Sequence, residues 1–113
     1  MADIVYVDQE DGKKRVMNNA KLYAKLLGKF KDETNFASIF TALDAGNYEE
    51  AQGIAHTIKG ITANLSIKDL NEKIIALEVQ IKGKSVDSQT IEAAKASFAA
   101  TIPEVEKAIA ENA

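Results

Sequence analysis

His56 is the only histidine of the chain and lies in the stretch AHTIKGITANLS, Ala55 to Ser66. A neutral imidazole is a nucleophile and a proton carrier near physiological pH. Lys59 follows three residues later and Gly60 four residues later. On a helix those spacings place both residues one turn away, on the histidine's side. The Lys59 ammonium could then neutralise an anion held on the ring or transferred through it. Each residue also has a plainer reading. His56 could be an incidental surface residue, Lys59 a solvated lysine, and Gly60 a point where another helix packs closely.

Helix geometry says where the imidazole points. Successive residues turn about 100° around the axis. With His56 at zero, Ile54, Ile58, Ile61 and Leu65 fall at roughly 160°, 200°, 140° and 180°. That apolar stripe must be buried, so His56 faces away from the core. Gly53, Gly60 and Ala63 lie within about 60° of it, and Lys59 about 60° to the other side. A glycine inside a helix costs about 1 kcal/mol relative to alanine. Two of them beside one histidine imply either close helix packing or clearance for an approaching molecule. An exposed imidazole, cleared of bulk and with a cation one turn away, suits taking up a phosphoryl group and passing it on. Such transfer depends mainly on positioning and charge stabilisation.

The elements that must hold this face read as four or five helices with short joints. Val16, Ala20, Tyr23, Leu27 and Phe30 recur at three- and four-residue spacing and predict a helix over 15–30. Phe36, Ile39, Phe40 and Leu43 predict a second, capped by Thr34 or Asn35 and stopped at Gly46. Asn47 and Glu50 have capping-box spacing at the start of a third helix that runs to about Leu65. Ser66 is placed to cap a fourth, with Leu70, Ile74, Leu77 and Ile81 as its stripe. The last helix starts near Ser88. Pro103 should kink or split it, with a restart at Thr101–Glu104. The opening DIVYVD reads as a strand-like arm or a short helix across the bundle end. The expected fold is all-α, an antiparallel up-down four-helix bundle with an additional short N-terminal segment, in a single domain over 1–113.

Composition narrows the function classes. Hydrophobic residues are 46% of the 113, enough for a core, and one proline with few aromatics favours helices. Net charge is −3, with lysines interleaved among acids rather than gathered, which argues against nucleic acid. No apolar run approaches the ~20 residues that span a bilayer, and MADIVYVDQEDG has no signal-peptide pattern. With no cysteine there is neither a disulfide framework nor a thiolate metal site, and one histidine makes a weak metal site. The expectations are a cytoplasmic location, no bound metal or cofactor, and a monomer, since one chain can close this bundle.

HTIKGITANLS, followed by Leu70 and then Leu77–Glu78, resembles the histidine-containing phosphotransfer (HPt) domain of phosphorelays. The family pattern is roughly H-x-L-K-G-x-[SA]-x-x-L-G, with a leucine four residues on and L-E seven residues later. His56, Lys59, Gly60, Leu65, Leu70, Leu77 and Glu78 match it, with Ile58 for the leucine and Thr62 for the small residue. RVMNNAKLYAKLLGKF and ALDAGNYEEAQGIAHTIKG are similar to the family's first helix and its approach to the histidine, so the resemblance covers about residues 10–82. Ser66 departs from it, standing where glycine is usual.

The resemblance implies a phosphocarrier rather than a kinase. His56 would accept phosphate from, or give it to, an aspartate of a response-regulator receiver domain, with a sensor histidine kinase as a further partner. Lys59 would stabilise the phosphoryl charge, and Gly60 would permit close docking. Glu78 matches a position that orients the histidine in some members. An i,i+4 pair with Lys82 is the simpler alternative for it. Magnesium would belong to the receiver. The docking surface would be the ring of Glu49, Gln52, Gly53, Lys59, Gly60, Ala63 and Asn64. A helical scaffold that binds a receiver or kinase without carrying phosphate is the competing expectation. The initial methionine and closed bundle favour a free-standing protein over an excised module.

Overall fold

The computed structural model describes residues 4–113, so residues 1–3 at the start of the N-terminal segment lie outside it. Six helices and no strand are found among the described residues. They are α1 (Gln9–Lys14), α2 (Ala20–Glu33), α3 (Phe36–Asp44), α4 (Tyr48–Leu65), α5 (Lys68–Lys82) and α6 (Ser88–Asn112). The long helices α2, α4, α5 and α6 form an up-down bundle. α4 packs on α5, α5 on α6, α6 on α2 and α2 on α4, while α3 crosses from α2 and lies against α4. Tyr23, Leu27, Leu70, Ile74, Leu77, Ile81 and Val105 are fully or almost fully buried at the centre. Phe36 stacks on Phe98 at 4.3 Å between ring centres, and Phe30 meets Phe98 edge-on, which closes the side where α3 turns over.

Three expectations about the elements are corrected. The helix read over 15–30 begins at Ala20; Arg15 to Asn19 form a turn, and Val16 lies in it. Met17 and Asn18 both adopt the left-handed conformation, and Asn19 then caps α2 by accepting from the Leu22 amide at 3.0 Å. Asparagine tolerates that conformation and is a preferred cap, so the Asn18–Asn19 pair breaks the pattern that periodicity carried through.

Ser66 ends α4 instead of starting α5. Its φ is 56°, and the Ile67 amide donates back to the Thr62 carbonyl at 2.9 Å, while Ile67 holds the cap position of α5 without a side-chain bond. The N-terminal arm supplies what that joint lacks. The Lys68 amide donates to the Tyr6 carbonyl at 3.0 Å, and the Asp8 amide to the Ser66 carbonyl at 2.9 Å. Residues 4–8 are thus a paired arm that leads into α1 across the bundle end.

Pro103 does not split α6, which runs unbroken, and Thr101 is buried within it instead of capping a restart. A proline inside a helix removes one bond and costs about 3 kcal/mol. Buried residues on both sides of it, Ala94 and Ser97 before, Val105 and Ala108 after, hold the helix continuous through that defect.

Candidate functional site

α4 carries the site, and its N-terminus is well fixed. Asn47 Oδ1 accepts from the Glu50 amide at 3.1 Å, and its Nδ2 donates to Glu50 Oε2 at 3.0 Å. The buried face of α4 is Ala51, Ala55, Ile58, Thr62 and Leu65. It is rotated slightly from the isoleucine stripe, which leaves Ile54 and Ile61 half-buried at one edge. His56 still points outward, and its side chain is 68% exposed.

Beneath the imidazole is Glu78 of α5, only 4% exposed. Its Oε1 lies 2.7 Å from Lys59 Nζ. Its Oε2 lies 3.4 Å from His56 Nδ1 and 4.0 Å from Lys82 Nζ. That second oxygen is buried and has no hydrogen-bond partner among the described residues. An unpaired buried acceptor favours a donor opposite it, so this geometry favours the Nδ1–H tautomer over the other. Nε2, on the far edge of the exposed ring, then keeps its lone pair. Burial works to raise the Glu78 pKa, but the Lys59 bond and charge, with Lys82 and His56 behind them, outweigh it and hold the carboxyl below its ordinary value. The simple i,i+4 pair with Lys82 is therefore the longest of its three contacts.

A polar brace under Lys59 has no precedent in the periodicity. Asn71 Nδ2 donates to the Lys59 carbonyl and to Thr62 Oγ1, both at 3.0 Å, and Thr62 Oγ1 donates to the Ile58 carbonyl at 2.9 Å. Asn71 precedes Glu78 by one heptad, so both lie on the α4-facing side of α5. That spacing was the available signal.

The proposed docking residues share the surface with His56. Glu49, Gly53, Gly60, Ala63 and Asn64 are exposed, and Gln52 and Lys59 partly so. A Cβ added at Gly53 or Gly60 would meet nothing within 4 Å. Packing inside this chain therefore does not require either glycine, and both leave a smooth strip beside the imidazole. Next to that strip, Leu26, Phe30, Thr34, Ile61 and Leu65 line an apolar groove between α2 and α4.

Among the described residues no group of three His, Asp or Glu side chains gathers to hold a metal ion, and no helix is long and apolar enough to cross a membrane. Comparison with family models, curated proteins and solved structures finds no match to this chain.

Proposed function

We propose that the chain is a histidine phosphotransfer protein of the HPt type, a stoichiometric carrier rather than a kinase. The observation that carries this reading is the exposed His56 ring with Nδ1 over a buried carboxylate, and Lys59 anchored one turn along. The Nε2 lone pair attacks the phosphorus of an aspartyl phosphate on a receiver domain. The N–P bond forms, the acyl O–P bond breaks, and the receiver's aspartate leaves as a carboxylate. The proton stays on Nδ1, where Glu78 offsets the positive charge that the ring acquires. Lys59, one helical turn along and partly exposed, supplies the cation that would meet the incoming oxyanion. The reverse step returns the group to a receiver, which would hold any magnesium the transfer uses.

Incubation with a phosphorylated receiver should place an acid-labile, alkali-stable label on His56. A label that persists in His56→Gln, or that no receiver can deliver, would refute the reading. One observation favours the scaffold alternative: Lys59 already has a structural partner in Glu78. If His56→Ala binds receivers and leaves signalling output intact, the chain is a scaffold.

A further inference from the structure

The outward face of α5 holds an apolar patch that phosphotransfer does not use. Counted from the buried Leu70, Ile75 and Val79 fall at roughly 140° and 180° around the helix. They are 44% and 65% exposed. Ile4 and Val5 of the arm, also exposed, lie beside Lys68 and Glu72 and extend the patch at the start of the helix. A run of exposed aliphatic side chains rimmed by charge marks an interaction surface. Here the rim has an order. Glu72 stands one turn before Ile75, and Lys82 one turn after Val79. Glu72 makes no ion pair among the described residues, and Lys82 comes only within 4.0 Å of Glu78.

That order is self-complementary. Consider a second α5 running antiparallel, with a two-fold axis at the level of Leu77. Ile75 then faces Val79 of the second copy, and Val79 faces its Ile75. The same register sets Glu72 against Lys82 of the second copy and Lys82 against its Glu72, each about 7.5 Å along the helix from the axis. One register satisfies the apolar contact and both charge pairs, as an isologous interface requires. A parallel pairing in register sets like charge against like. We infer that the outer face of α5 is a homodimer interface, with two copies packed antiparallel through Ile75 and Val79 and registered by Glu72 and Lys82. This replaces the monomer expected from the closed bundle. The patch centres about 80° around α5 from Glu78, so each copy keeps its His56 open.

Sedimentation velocity of the full chain tests this. The wild type should dimerise reversibly at concentrations below about 1 mM, and Val79→Glu, helical by circular dichroism, should stay monomeric. Glu72→Lys and Lys82→Glu should each weaken dimerisation about tenfold, because each turns two attractive pairs repulsive. The combination Glu72→Lys with Lys82→Glu restores opposite signs across the axis and should return the affinity to within about threefold of wild type. The inference is overturned if the wild type remains monomeric over this range or if Val79→Glu dimerises unchanged. It is also overturned if the combined reversal is no better than the single ones.

Discussion

Glu78 Oε1 and Lys59 Nζ, 2.7 Å apart, tie α5 to α4 directly beneath the only imidazole of the chain. The carboxylate is nearly buried, whereas the lysine keeps about a third of its side chain in solvent (32%). Removing the carboxylate therefore does not strand a buried cation. Glu78→Ala should lower stability by only about 1 kcal/mol in urea melts. Its effect on the ring should be larger. Nitrogen NMR should show the Nδ1–H tautomer in the wild type and a mixture with Nε2–H in Glu78→Ala, with label uptake slowed about tenfold or more. An unchanged tautomer would remove the orienting role.

The same contact sets a pH dependence. The Glu78 carboxyl is held below its ordinary 4.5, so the folded protein binds this proton less readily than the unfolded chain does. The stabilisation is complete above pH 4.5 and is lost as pH falls through the lower, folded value. Glu78→Gln should flatten that part of the acid-unfolding curve by lowering stability near neutrality, while the difference from wild type should vanish in acid, where the wild-type carboxyl is itself protonated. Asp11 and Asp87, also lowered, continue to contribute in the variant.

Gly53 and Gly60 separate stability from function. Because an added Cβ meets only open space at either position, Gly53→Ala and Gly60→Ala should each stabilise the protein by about 0.5–1 kcal/mol. If the bare strip serves docking, Gly60→Ala should slow exchange of phosphate with a receiver while the melt shifts upward. A stabler variant with unchanged transfer would end the clearance argument for that glycine.

The site was more legible in the sequence than the joints around it. His56 and Ile58 follow directly from a period of 3.6, because a long helix with one buried face fixes what the opposite face presents. Glu78 was matched to an orienting position by resemblance, but its choice between Lys82 and α4 depended on how α5 packs, which no single-helix pattern contains. Asn71 was missed because its partners are a backbone carbonyl and a buried hydroxyl across the interface. The joints failed for a local reason. Ser66, Met17 and Lys84 end helices with positive φ, a job that sequence reading assigns to glycine. Gly83, next to Lys84, has an ordinary helical φ of −81°.

These left-handed helix ends yield a graded set of variants. Such a conformation costs a residue with a Cβ roughly 1–2 kcal/mol, and glycine much less. Lys84→Gly and Met17→Gly should stabilise by up to about 1 kcal/mol each, since both side chains are exposed. Ser66→Gly should gain less, because the Ser66 hydroxyl donates to Asp11 and glycine forfeits that bond. Chemical denaturation of the three variants gives the order. A larger gain at Ser66 than at Lys84 would mean that the Asp11 bond contributes nothing.

Gly12 and Tyr23 together decide whether the N-terminal arm is integral to the bundle. Tyr23 is fully buried, and its hydroxyl donates to the Leu65 carbonyl at 2.8 Å, one residue before the joint that the arm clasps. A Cβ on Gly12 would run into the Tyr23 ring, which that hydrogen bond holds in place. Gly12→Ala should therefore cost about 2 kcal/mol and displace α1. Hydrogen exchange at the Asp8 and Lys68 amides should accelerate, since both pair across this junction. Burial, aided by the charges of Asp8 and Asp11, pushes the Tyr23 phenol from 10.0 up to about 12. Between those two values the unfolded chain loses a proton that the folded one keeps, so stability must fall as pH rises through that window. Tyr23→Phe should abolish this alkaline decline while costing about 1–2 kcal/mol at neutral pH, because it leaves the Leu65 carbonyl without its partner. An arm that is merely draped on the bundle would give a Gly12→Ala protein with wild-type stability and unchanged exchange at Asp8 and Lys68.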